Sequence, residues 1–231
     1  MQDRPPSLGF IRTTDDALPT FEDPVYSSAS DIEEFDRIAA RVRRRLTRRQ
    51  RKRVKKASKL RRYRVDRCLI QANWEDVRFA TIFMLRHQPN DELAVGSALV
   101  DLACLGLKDT IFHPRIDSER ARETVFRFEE TGNKLTEYSP GLAAKVLVHG
   151  VAYATRLGFA IPPDYFVLRA FFGEPDPPET EPRVPLGHRG KPFFVAGPYD
   201  DTDAVMSHLE KRLGPNGFYV IVPTRHPTSD G

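Results

Sequence analysis

Asp101 interrupts an otherwise apolar stretch running from Leu93 to Leu107, and Lys108, Asp109 and His113 follow closely behind it. A carboxylate in a buried strand is costly unless it is paired, hydrogen-bonded or bound to a metal. Two readings follow. In the first, Asp101 and Asp109, with His113 near them, hold a divalent ion for phosphodiester hydrolysis while Lys108 faces a phosphate, which makes Asp101, Lys108, Asp109 and His113 candidate catalytic residues of a metal-dependent nuclease. In the second, Asp101 accepts hydrogen bonds from the backbone or an arginine, and Lys108 and Asp109 sit in a turn. The spacing matches no metal-nuclease pattern, which favours the second.

The remaining candidates are thinner. Lys145, His149 and Arg156 share one face of an apolar segment; they could bind an anion, but they are also its few polar positions and read as its exposed edge. There is no HExxH, CxxC or histidine cluster, no P-loop, no GxGxxG and no GxSxG, so neither metal nor cofactor is expected. Asp200, Asp201 and Asp203 crowd the start of a C-terminal helix and read as caps rather than as a phosphate site. Trp74 and the phenylalanines alternate as core residues do, rather than as a base-stacking platform.

A stronger signal is electrostatic. Sixteen of the thirty-six lysines and arginines lie between Arg41 and Arg67, where Asp66 is the only acid. That run carries +15 against a whole-chain charge of +4, so the other residues together carry −11. Self-repulsion on this scale is relieved by a polyanion, so the expected partner is nucleic acid, RNA or DNA, or a ribonucleoprotein. The residues assigned to phosphate contact are Arg43, Arg44, Arg45, Arg48, Arg49, Arg51, Lys52, Arg53, Lys55, Lys56, Arg61 and Arg62. Such contacts position a protein without reading bases.

These residues need elements to hold them. Ser30 and Glu33 have the form of a capping box, and Ile32, Phe35, Ile38, Ala39, Val42 and Leu46 recur at helical spacing. Continuing the same periodicity puts Arg49 and Arg53 on the apolar stripe before Ala57 and Leu60. The middle of the run therefore reads as a helix unsuited to a core and fully ordered only on phosphates. Beyond Cys68 the pattern turns to strands: Val77, Phe79, Thr81, Phe83 and Leu85 alternate with Arg78, Ala80, Ile82, Met84 and Arg86, and the turn Pro89 to Asp91 leads into a buried strand. Asp117 and Ser118 cap a helix ending near Gly132. Ser139, Pro140 and Gly158 bracket a central apolar helix, and Asp164 caps a short one ending at Gly173. After the Pro-rich stretch from Glu174 come a strand at Pro192 to Ala196, a helix from Thr202 to Leu213 and a strand at Phe218 to Val222.

The segments LVDLACLGLKDTIF, from Leu99, and GKPFFVAGPYDD, from Gly190, followed by LEKRLGPNGFYVIVP and preceded by CLIQANW, resemble an uncharacterised bacterial protein family. Its pattern is a VDL-x-CLG-x-KD strand, a central helix and a GKPF-x-x-GP-x-D turn. The resemblance spans roughly Arg67 to Pro223. It implies one coherent intracellular domain, transfers no mechanism and leaves out the basic run.

The expected fold is α+β: an antiparallel sheet packed on a central apolar helix, with an N-terminal basic helical arm and a small C-terminal α/β extension. The expected organisation is a disordered acidic tail (1–29), the basic arm (30–64), the core (65–173), a Pro-rich linker (174–186), a strand-helix-strand unit (187–223) and a tail (224–231). Early charge and proline argue against a signal peptide, no apolar run is long enough to span a bilayer, and two cysteines are too few for a disulfide framework. A cytoplasmic protein without membrane association is expected. Its function is read as non-enzymatic nucleic-acid binding. The alternatives are the nuclease and an adaptor or antitoxin-like module whose arm binds an acidic protein surface or is masked by Asp15, Asp16, Glu22, Asp23, Glu33, Glu34 and Asp36.

Overall fold

A computed structural model of the chain describes residues 24–197 and 199–222. Two helices come first, α1 (Ala29–Arg44) and α2 (Arg48–Leu60), followed by β1 (Val65–Gln71), the single turn α3 (Trp74–Val77), β2 (Phe79–His87), β3 (Glu92–Asp101) and β4 (Gly106–Asp117). Then come α4 (Ser118–Glu130), β5 (Leu135–Glu137), α5 (Pro140–Arg156), α6 (Pro163–Phe172), β6 (Phe193–Val195), α7 (Thr202–Leu213) and β7 (Tyr219–Ile221). The five long-range strands form an antiparallel sheet in the order β4-β3-β2-β1-β5, and β6 and β7 pair in parallel as a separate small sheet. The α+β architecture with a helical N-terminal part and a small C-terminal sheet is thus the one expected.

Both faces of the large sheet are covered at β2 and β3. Leu69, Phe83, Leu85, Leu93 and Val95 meet Ala121 and Val125 of α4 on one side, while the opposite side packs on α5 and α6. This explains why β2 shows no polar alternation in burial: a strand sandwiched between helices is apolar on both faces. Even Arg86, near the end of the strand, is buried. α5 runs apolar on almost every face from Leu142 to Ala154, held by Ser139 accepting the Leu142 N–H and by Pro140 in its first turn. It lies so close to β3 that a Cβ at Gly150 would sit 2.4 Å from Val100 Cγ1, and one at Gly106, where φ is +71°, would sit 2.9 Å from Ala154. These two glycines let the β3 to β4 corner press against the central helix.

Several local expectations need correction. α1 starts earlier than expected, because Ser28 is the N-cap and Asp31 closes the capping box. The basic run is two helices: Arg45 to Thr47 break it, Leu46 is tucked inside, and Thr47 with Gln50 forms a second capping box. Nor is α2 unsuited to a core, as Val54, Ala57 and Leu60 are buried and the helix packs along α6. Of the stripe that receives Arg49 and Arg53, Ala57 and Leu60 are buried together with Val54, while Arg49 is exposed and Arg53 is half-buried against Asp164. Asp164 does not cap α6, because its carboxylate is engaged by Arg53. Val25 pairs through its backbone with Leu186, so the chain is structured before Ala29. Residues 1–23 and 223–231, including Asp15, Asp16, Glu22 and Asp23, lie outside the described residues.

Candidate nucleic-acid interface

The surface is built from the break between α1 and α2. Arg41, Arg43 and Arg44 close the last turn of α1, where cations favour the helix dipole; Arg51 donates to the Arg44 carbonyl at 2.6 Å and ties the two helices together. α2 then begins with Arg48 and Arg49 and has no acid in its first turn, the reverse of what the dipole prefers. At 13 residues α2 is about 20 Å long. Its inward arc is Val54, Ala57 and Leu60. Its outward arc carries Arg48, Arg49, Arg51, Lys52, Lys55, Lys56 and Lys59, all exposed, and no acid at all.

Among the described residues, Arg53 and Arg61 alone of the assigned phosphate contacts have a carboxylate within ion-pair distance: Asp164 at 2.5 Å and Glu174 at 2.8 Å. Arg62 lies over the Tyr63 ring. Arg43, Arg44, Arg45, Arg48, Arg49, Arg51, Lys52, Lys55 and Lys56 face solvent without an acidic partner there. Two recesses of about 480 and 540 Å³ flank Leu46; the first is lined by Arg48, Arg51, Lys52 and Lys55, the second by Arg43, Arg51, Lys55, Ser58 and Lys59, and no acid lines either.

A residue to which the strand pattern assigns no role holds this surface in place. Arg86, at the end of β2, is only 5% exposed and has no carboxylate. It donates instead to the carbonyls of Phe171 and Phe172 at the end of α6 and of Arg61 and Tyr63 just past α2, at 2.9 to 3.2 Å. Carbonyls from the end of α6 and from the residues just past α2 thus take the place of solvent around a buried guanidinium and fix α2 against α6. A cation closing an apolar strand was the available signal.

The β3 to β4 corner is arranged differently. Asp101 is fully buried, and its carboxylate accepts the N–H groups of Ala103, Cys104 and Leu105 at 2.8, 3.0 and 3.1 Å. Burial pushes its pKa up to about 6, against the opposing pull of those donors and of Lys108. The C-terminal unit covers the corner, with Gly187 and Phe193 donating to the carbonyls of Leu102 and Ala103. Lys108 and Asp109 lie in β4, not in a turn. Lys108 contacts Asp200 at 2.5 Å, and Asp200 also accepts the Gly197 N–H. The two sequence segments that carry the family resemblance therefore meet at this pair. Asp109 and His113 are exposed on the outer face of β4, whereas Asp101 turns inward, so the geometry does not assemble the proposed metal-binding set. Among the described residues no group of three or more His, Cys, Asp or Glu side chains is placed to hold a metal ion.

Lys145 and His149 also depart from expectation: both are buried rather than on an exposed edge. Lys145 donates to the carbonyls of Thr180 and Pro182, which draws the Pro-rich stretch onto α5 and explains why Val184 and Leu186 are buried. Burial, then the charges of Lys145 and Arg156, lower the His149 pKa to about 4. Arg156 reaches Asp31 of α1 at 2.9 Å. Trp74 is fully buried in the core, and Asp201 caps α7 through the Ala204 N–H.

No protein-family model matches the chain, and no curated protein and no solved structure matches it either.

Proposed function

We propose that this protein binds nucleic acid, alone or within a ribonucleoprotein, through the outer face of α2 and the last turn of α1, without catalysing a reaction. The observation that supports the reading is the acid-free outer arc of α2. A packed, capped helix holding seven cations over about 20 Å is a preorganised phosphate ladder, so little chain entropy is lost on binding. Its side chains favour backbone contact over base reading, so the binding is sequence-independent. With ~6 to 10 phosphate contacts, affinity falls by about 10³ to 10⁵ between 50 and 200 mM salt.

Among the described residues no helix is long and apolar enough to cross a membrane. The proposed location is the cytoplasm, where the free, buried thiols of Cys68 and Cys104 stay reduced.

Deleting the basic run would remove Val54, Ala57 and Leu60 from the core, so charge reversal is the cleaner test. The combined variant Lys52→Glu, Lys55→Glu, Lys56→Glu should lose about a hundredfold in affinity for single-stranded RNA or duplex DNA at ~0.1 M salt and show a shallower salt slope. Wild-type protein that ignores both nucleic acids but captures an acidic protein would overturn the proposal in favour of an adaptor.

A further inference from the structure

Between α1, α2 and α6 lies a recess of about 650 Å³ lined by Asp36, Arg43, Arg44, Arg61, Tyr165, Arg169 and Glu174, among others. Of its four arginines, Arg43 and Arg44 come from α1, Arg61 directly follows α2 and Arg169 comes from α6, and the recess holds only two acids. Glu174 follows directly on Gly173, where α6 ends, and spans the recess: one carboxylate oxygen takes the Arg61 guanidinium and the other takes Arg169, each at 2.8 Å. Arg169 also donates to the Gly173 carbonyl. The Glu174 side chain is 74% exposed, and its pKa is lowered first by the hydrogen bond and charge of Arg169 and then by Arg61.

Planar guanidinium groups presenting N–H donors to separate oxygens of one anion are the geometry by which arginine recognises phosphate as well as carboxylate. Exposed ion pairs of this kind are weak, so the internal carboxylate is readily displaced. Arg43 and Ser58 line both this recess and the one beside Leu46, so the two adjoin at the C-terminal turn of α1.

We propose that the recess is a phosphate seat in which Glu174 stands where a phosphate group binds, so that the protein carries its own competitor for the end of the α2 surface. As a nucleic-acid seat it rests on the reading of α2 given above. The shared ligand chemistry is a phosphate, from a nucleic-acid backbone or from free phosphate.

The test compares wild type, Glu174→Gln, Glu129→Gln and the double variant Glu174→Gln, Arg61→Ala in binding a ~20-nucleotide single-stranded RNA across a salt series. Glu129 is exposed on α4, which covers the other face of the sheet, and its change alters net charge by the same amount. Glu174→Gln should raise affinity several-fold and steepen the logarithmic salt slope by about one. Glu129→Gln should do neither, and Arg61→Ala should cancel the gain. Equal behaviour of the two glutamine variants would overturn the seat while leaving the α2 reading intact. If wild type shows no salt-dependent binding at all, the α2 reading fails. The seat then stands only if inorganic phosphate raises the melting temperature of Glu174→Gln and not of Glu129→Gln, which would also identify free phosphate as the source; no shift overturns it.

Discussion

The β3 to β4 corner and the outer face of α2 both concentrate charge, yet they have opposite characters. At the corner the buried and half-buried charges are matched within the molecule: Asp101 by three backbone N–H groups, Lys108 by Asp200, and Asp200 also by Gly197. On α2 the outward cations find no acid among the described residues. A matched charge is committed to the fold, and an unmatched one is left for a partner. The number of charged residues in a segment therefore says less about function than whether the fold already satisfies them.

The comparison breaks if the corner can be damaged without loss of stability. Asp101→Ala leaves three N–H groups, two of them buried, without an acceptor and should cost about 4 kcal/mol, measured by urea unfolding with an unchanged m-value. A loss of RNA binding in a protein of unchanged stability would instead make Asp101 functional. Arg86→Met tests the seam between the two regions: removing the guanidinium strands four backbone carbonyls and should cost about 3 kcal/mol. Hydrogen exchange should localise the loosening to α2 and the end of α6.

The α2 charge reversals should show the converse pattern, with affinity down about a hundredfold, or about 2.7 kcal/mol, and a melting temperature moved by no more than a few degrees. A smaller effect is a pH dependence confined to the corner. Because the Asp101 pKa is raised to about 6 in the folded state, the native protein holds this proton while the unfolded chain, with the ordinary value of 3.8, releases it. The contribution of Asp101 to stability is therefore greatest below about pH 4 and is lost as pH rises through 6. Wild type should lose ~2 kcal/mol relative to the non-titrating Asp101→Asn between those limits, and parallel pH profiles of the two proteins would show that the shift is absent.

Much of the frame was legible in the residues. Ser139, Pro140 and Gly158 bracket α5, Asp117 marks the start of α4, and the Asn90 and Asp91 turn joins β2 to β3, each as expected, because caps and turns are written in a few adjacent residues. The Thr47 and Gln50 capping box was equally local but was hidden among arginines. Burial was harder to read. Lys145, His149 and Arg86 look like surface residues by type, and only the carbonyls brought to Lys145 and Arg86 from distant segments make their burial tolerable.

Residue order alone therefore establishes the α+β class, the capped helices, the central apolar helix and a cationic segment strong enough to require an explanation. Folding decides which charges remain available. Asp200 reaches Lys108, Asp164 reaches Arg53, and Glu174 reaches Arg61 only after the chain has closed over separations of roughly a hundred residues. No periodicity encodes such a meeting. Periodicity reflects the geometry of one element, whereas the state of a charge depends on every element packed around it.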